Sequence, residues 1–423
     1  MAASRLITSS ELEAIKREAI RHIDSIRDEL CEVSLALHSY AEAPFEEYRS
    51  SDLLVSVLKE NGFTVEKPFA GLETAFRAVY ERENQGPRIA FTAEYDAIRI
   101  LEYKSNRIMG HACGHNLNAT ASLGASLAVS RGLPKKVPGT VTILGTPAEE
   151  DLGRGGKLTL IEQGAFKNVD AAMMMHGTLF RAGGEDCFTA PHATYHLVSY
   201  IFHFKGSRPP DGPGVSALDP LNQFLQGLNV LDQRFGPDVA IRRIILRGGE
   251  TPAAIPVEAV AQVWIQSKSL PLVKKASGAV INCAAGSAQA LGAEFEVEEE
   301  GRVKSVVCNP TLEKLIGLNA AKLGLNWKDD ASLSPFSTDF GNVSALVPSI
   351  YLKVPLGVGR FHTSAAITSS KSEQAHKGMI NATKLLSITA IDLFASPALL
   401  SQAKSELRRY RKTNLASGRV KLQ

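Results

Sequence analysis

Val141-Thr142-Ile143-Leu144-Gly145-Thr146-Pro147-Ala148-Glu149-Glu150 is a β-branched, apolar run that stops in a Thr-Pro turn and ends on two adjacent carboxylates. A short apolar run bounded by Gly and Pro reads as a buried strand. The same pattern occurs on either side. Residues 88–93 form an apolar run followed by Glu94-Tyr95-Asp96, and residues 169–175 form another that ends at His176. Between them, residues 119–130 read as a helix rich in small side chains. Strands alternating with helices predict an α/β domain with a mixed, mostly parallel sheet flanked by helices. The polar, reactive residues follow strand C-terminal ends, where open α/β sheets place their ligands.

Further out, Thr8 to Glu11 is a capping box that predicts a long amphipathic helix through about His38. A second helix is expected over residues 51–61, and strands over 64–68 and 75–80. From about Ala193 the character changes. A strand is expected over 195–204, followed by the turn-rich Arg208-Pro-Pro-Asp-Gly-Pro-Gly214. A helix (218–235), two strands (239–246 and 259–267), a helix (273–291) and a strand (294–299) complete the segment. This β-α-β-β-α-β order predicts a ferredoxin-like α+β unit. It is expected as an insertion, because ligand-type chemistry returns at His362. The division is residues 1–193 and 309–423 for the larger domain and 194–308 for the inserted one.

At 423 residues the chain is long enough for two or three domains of ~150 residues. Its 47 basic and 44 acidic residues nearly balance, leaving a net charge of +3. With no concentrated basic stripe, nucleic acid is not an expected partner. The basic C-terminal stretch, with Arg408, Arg409, Arg411 and Lys412, reads as a solvated helix face. No run of about 18 uncharged apolar residues exists, so no membrane span is expected. The N-terminus lacks the apolar run of a signal peptide. The five cysteines (Cys31, Cys113, Cys187, Cys283 and Cys308) are odd in number and widely spaced, which argues against a disulfide framework. A cytoplasmic location is the expectation.

His111-Ala112-Cys113-Gly114-His115 is the sharpest local motif. Thiolate and imidazole both suit zinc-like ions. In an extended segment, positions i and i+2 project to one side, so Cys113 and His115 can reach a common point. His111 fits a place behind the ligands as well as among them. Taken alone, the motif also reads as a buried thiol beside two incidental histidines. Glu149-Glu150 reads either as a solvated helix start or as a metal ligand next to a general base acting on metal-bound water. Asp96 is a cap or a ligand-orienting carboxylate. His176, and His362 in Gly359-Arg-Phe-His-Thr363, are satisfied core histidines or ligands. The Met173-Met174-Met175 run is core packing. The joint order carries more than any piece: Cys/His, Glu-Glu, His and a distant His, each after a strand.

In that order the motifs resemble the aminoacylase/carboxypeptidase-type metallopeptidases. Within them, the chain is most similar to the amidohydrolase branch of aminobenzoyl-glutamate hydrolase, auxin-conjugate amidohydrolases and β-alanyl-lysine dipeptidase-like proteins. The likeness runs over nearly the whole chain. It includes Ala93-Glu-Tyr-Asp-Ala97, His111-Ala-Cys-Gly-His-Asn116, Gly145-Thr-Pro-Ala-Glu-Glu150, Gly155-Gly-Lys157, Gly164-Ala-Phe166, Ser337-Thr-Asp-Phe-Gly-Asn-Val-Ser344 and His362-Thr363. Asn116 and the Ser337 to Ser344 segment point to the dipeptidase-like subgroup. The resemblance implies two divalent metal ions, zinc first, with manganese or cobalt as alternatives. It implies Cys113, His115, Glu150, His176 and His362 as their ligands, Glu149 as general acid/base and Asp96 behind the ligands. It also implies that the inserted domain is a lid carrying a homodimer interface, and that the partner is a small-molecule amide.

The lid departs from the family pattern. Gly-x-x-x-His-Ala reads here Gly206-Ser-Arg-Pro-Pro210, with proline in place of the histidine. Asn-Ile-Ile-Pro reads Ala253-Ala-Ile-Pro256, and the arginine that follows is Gln266. Arg208, Ala253, Gln266 and Asn116 are therefore the expected substrate-facing set. The expected function is a metal-dependent amidohydrolase. Its substrate would be an N-acyl amino acid, dipeptide-like or specialised-metabolite amide that lacks the usual free α-carboxylate. One alternative is the same site turned to amide formation or cyclisation. Another is a non-catalytic metal-binding homologue, against which Glu149 argues, since structural metal sites need no free base.

Overall fold

The computed structural model describes residues 7–83, 86–101, 108–134, 137–180, 187–208 and 214–416. The larger domain is built on a six-stranded sheet. Its strand order is Thr64–Glu66, Phe76–Glu83, Gly139–Gly145, Arg88–Ala93, Ala171–Phe180 and Ser349–Val358. The last four run parallel, and the first two join antiparallel at one edge. Gly139–Gly145 is buried along its whole length. A parallel strand covered on both faces has no solvent side to mark with polar residues, hence the continuous apolar run.

The methionine run shows the two faces. Met173 and Met175 join the core that holds Leu117, Leu123, Ile143 and Leu385, while Met174 joins the opposite core with Leu144, Leu160 and Phe340. One face is covered by helices His115–Gly132 and Glu373–Ala395, with Ser9–Ser25 packed against both of them. Small side chains let these helices approach closely. A Cβ on Gly124 would sit 2.8 Å from Thr383 Cγ2 and 2.9 Å from Leu30 Cδ1.

The inserted unit is a four-stranded antiparallel sheet in the order Ala240–Arg247, Glu258–Ser267, His196–Lys205 and Glu294–Val303. Helices Leu218–Phe235 and Leu270–Ala290 pack on one face around Phe202, Phe204, Phe224 and Val280. This is the ferredoxin-like arrangement. Its last strand bulges just before Gly301. On that glycine a Cβ would lie 2.0 Å from the Gly153 carbonyl oxygen, so only glycine lets this strand rest against the loop that follows Glu150. The turn-rich lid segment falls at residues 209–213, Pro210 included, which lie outside the described residues.

Three local expectations are corrected. The N-terminal helix is not continuous but breaks at Ile26 into Ser9–Ser25 and Arg27–Tyr40. Ile26 leaves helical geometry at φ −105° and ψ 14°, while its N–H still donates to the His22 carbonyl. The capping box at Thr8 is formed. His176 does not end its strand, because pairing with Ser349–Val358 carries Ala171–Phe180 four residues past it. Cys113 and His115 do not share an extended run. Gly114 takes a left-handed φ of 76°, and His115 opens the helix His115–Gly132.

Candidate metal centre

Four parallel strands deliver their C-terminal ends to one place. Arg88–Ala93 leads to Glu94 and Asp96, and Gly139–Gly145 leads to Glu149 and Glu150. His176 projects from within its strand, and His362 follows Ser349–Val358. The start of helix His115–Gly132 adds Cys113 and His115. The donor atoms of Cys113, His115 and His176 all lie within 4.8 Å of one another, and so do those of Cys113, Glu150 and His362. Cys113 belongs to both groups. Its Sγ is 3.1 Å from His362 Nε2, which lies 3.6 Å from Glu150 Oε2. Ala148 and His362 both hold φ near 60°. Left-handed backbone at two non-glycine positions of one site is strain that the surrounding contacts must offset.

Those contacts are visible. The Ala148 N–H donates to Glu47 Oε1 at 2.8 Å, and the Thr74 hydroxyl donates to Glu47 Oε2 at 2.8 Å. Burial, with Asp96 nearby, pushes the Glu47 carboxyl up to about 7. Asp96 serves two residues at once. Its Oδ1 is 2.8 Å from His115 Nδ1, and its Oδ2 accepts the Glu150 N–H at 2.8 Å. A proton on His115 Nδ1 leaves Nε2 as the donor aimed into the centre, the usual arrangement behind a ligating histidine. His176 Nδ1 is likewise 2.8 Å from the Gly177 carbonyl oxygen. Burial holds His176 down at about 4, so its ring is neutral at physiological pH.

The donor set fits divalent cations on this structure's own evidence. His115 Nε2 is buried and makes no hydrogen bond among the described residues. Burial, and then the Glu150 carboxylate, push the Cys113 thiol well above its usual range. Burial, and then Glu94, do the same to Glu149. A coordinated cation reverses that balance for a thiol.

Residues that the sequence reading left without a role surround this centre. Lys157 Nζ lies 2.6 Å from Glu94 Oε1 and 2.6 Å from Asp339 Oδ1, and all three side chains are fully buried. Asn118 donates to Glu94 Oε2 at 3.0 Å and to the Met175 carbonyl at 2.6 Å. Glu94, Glu149 and Asp339 bring carboxylate oxygens within 4.8 Å of one another, with the Lys157 ammonium as their counter-charge. The Tyr351 ring stacks on His176 at 5.8 Å, and its buried hydroxyl has no hydrogen-bond partner among the described residues. Glu94, Lys157 and Asp339 all sit inside motifs the sequence reading singled out. Glu47 had no local signal.

The expected substrate-facing residues are placed differently. Gln266 is buried, with Nε2 donating to Ser337 Oγ at 3.0 Å and Oε1 accepting from Arg242 Nε at 2.9 Å. It ties the inserted domain to the larger one. Asn116 is enclosed between helices, and its amide nitrogen donates to Ser34 Oγ and to the Ser370 carbonyl. That position is behind the centre, not toward a substrate. Arg208 and Ala253 are both exposed on the inserted domain. His111 belongs to neither donor group. It turns to the Leu37 carbonyl at 3.0 Å, and burial holds it at about 3.

Comparison with known proteins agrees with this geometry. Residues 90–385 match the model of peptidase family M20/M25/M40. A Xaa-Arg dipeptidase of Mus musculus is 33% identical over 419 residues, covering 95% of this chain and 94% of that protein. A p-aminobenzoyl-glutamate hydrolase chain of Escherichia coli (strain K12) is 27% identical over 457 residues, covering 91% and 93%. A dinuclear metal-binding peptidase of the M20 family from Bacillus subtilis has a similar fold, with a TM-score of 0.64 at 20% identity over 88% of this chain and 99% of that one.

Proposed function

Because the chain belongs to peptidase family M20/M25/M40, we propose that it hydrolyses amide bonds at a two-metal centre held by Cys113, His115, Glu150, His176 and His362. The observation that carries this is the sharing of Cys113 between two compact donor groups. One thiolate common to both sets would let Cys113 help hold both ions. Zinc suits the thiolate–imidazole–carboxylate mixture, and manganese or cobalt are the alternatives. When bound, such ions polarise the scissile carbonyl and lower the pKa of water.

The chain's own residues supply the rest. Glu150 belongs with Cys113 and His362, whereas Glu149 is outside both Cys113 groups, although its carboxylate also comes within 4.8 Å of His115 and Glu150 donor atoms, and it is the residue left to carry a proton. It takes the proton from the attacking water and delivers it to the leaving nitrogen. Asp96 fixes His115 and the Glu150 backbone together, so ligand and base loops keep one geometry. Glu47 holds the strained Ala148, which sets the direction of Glu149. Dialysis against a chelator should abolish hydrolysis of a dipeptide panel, and adding back zinc, manganese or cobalt should restore it. Full activity in metal-free protein would sink this proposal.

For the substrate, we propose an uncharged amide over one ending in a free carboxylate. Gln266 stands where the family's carboxylate-gripping arginine is expected, and both ends of its amide are already engaged by Ser337 and Arg242. A carboxylate buried without a guanidinium partner costs several kcal/mol, or a ~10³-fold loss in kcat/KM. Capped amides should therefore outperform their free-acid counterparts when kcat/KM is measured side by side. A preference for the free acids would show that a neighbouring guanidinium, such as that of Arg242, grips the carboxylate instead.

A further inference from the structure

A second group of side chains, at the junction of the two domains, brings imidazole, thiol and carboxylate together. His192 lies on the short strand Pro191–Ala193, just before the chain enters the inserted domain. Cys308 lies on the connection that returns, and Glu313 is in the first turn of helix Pro310–Lys322. Glu313 Oε1 is 2.7 Å from His192 Nε2, and its Oε2 accepts from the Cys308 thiol at 3.0 Å. The donor atoms of the three residues all lie within 4.8 Å of one another, the spacing seen in the Cys113 groups.

A carboxylate in a helix's first turn ordinarily serves the free N–H groups there. Here that work is done by others. Asn309 accepts the Leu312 N–H, and Glu406 accepts the Thr311 N–H. Both Glu313 oxygens are thus released to face the imidazole and the thiol. The group borders an open cavity of about 620 Å³ that His196 and Lys268 also line, with room for a water as a further ligand.

We propose that His192, Cys308 and Glu313 form an additional site for a zinc-class divalent cation, clipping together the two connections between the domains. Zinc takes these three donor types at roughly 2.0–2.3 Å, which sets the donors roughly 3.3–3.8 Å apart around the ion. The present 2.7 and 3.0 Å contacts reach that spacing by small side-chain rotations. Binding exchanges two hydrogen bonds for three coordinate bonds; the hydrogen on His192 Nε2 moves to Nδ1 or to solvent, and the Cys308 thiol proton leaves to solvent. The site shares no residue with the Cys113 centre, so it stands or falls independently of the hydrolytic reading.

The test uses the full-length protein loaded with zinc and freed of excess by gel filtration, with zinc per chain measured by mass spectrometry. Wild type should hold about one equivalent more than either His192→Ala or Cys308→Ser. Cobalt loading should show weaker thiolate-to-cobalt absorption in Cys308→Ser than in wild type. His192 is 40% exposed, so its truncation keeps the test valid if Cys308→Ser misfolds. Equal zinc content in wild type and His192→Ala would overturn the proposal. Loss of more than one equivalent in His192→Ala would overturn it too, by placing the effect at the Cys113 centre.

Discussion

Glu149→Gln should lower kcat by about 10²–10⁴-fold, the usual contribution of a positioned general base. The amide keeps the shape of the carboxylate but cannot accept the proton. Glu149 is almost fully buried, and burial together with Glu94 holds its carboxyl well above the ordinary range. It stands outside both Cys113 donor groups but within 4.8 Å of His115 and Glu150 donor atoms, so retention of metal by the variant is the outcome that marks it as base and not ligand. Steady-state kinetics and metal analysis on one preparation separate the outcomes. Loss of metal would mean that Glu149 and Glu150 have exchanged roles, and unchanged turnover would remove Glu149 from the chemistry.

Lys157→Met should destabilise the fold by about 3–5 kcal/mol, the cost of stripping one partner from a buried ion network. Lys157 lies 2.6 Å from a carboxylate oxygen of both Glu94 and Asp339, with none of the three exposed. Methionine fills nearly the same volume, so packing alone predicts a small change. The large effect comes from leaving two carboxylates in a dry interior without their cation. Urea unfolding monitored by circular dichroism measures it. A midpoint within error of wild type would mean that the network contributes no net stability. The Lys157 ammonium is held well above its ordinary range by Asp339 and Glu94 against the opposing effect of burial, so the pairing persists across the working pH range.

The strands of the larger domain were legible because burial on both faces leaves an unbroken apolar run, as at Gly139–Gly145. The inserted unit was legible because its strand and helix periods alternate, and helix Leu218–Phe235 starts and stops where its pattern does. The candidate metal centre was legible as an order of motifs that the fold brings to one place, although His176 lies within its strand and His115 opens a helix. What was not legible is non-local. Lys157 stood out as part of the Gly155-Gly-Lys157 motif but not as a buried ion-pair partner, because Asp339 is 182 residues away. Gln266 was read as facing substrate, but only the fold shows it braced between Ser337 and Arg242. The break at Ile26 falls in a stretch with no proline or glycine to mark it.

The most direct test is an anomalous-scattering map at the zinc edge of metal-loaded crystals. Two peaks about 3.5–4 Å apart are expected, both within about 2.5 Å of the Cys113 sulfur. One peak should be completed by His115 and His176 and the other by Glu150 and His362. Cys113 paired in a disulfide, or metal peaks that do not touch its sulfur, would contradict the two-metal centre on which this mechanism depends.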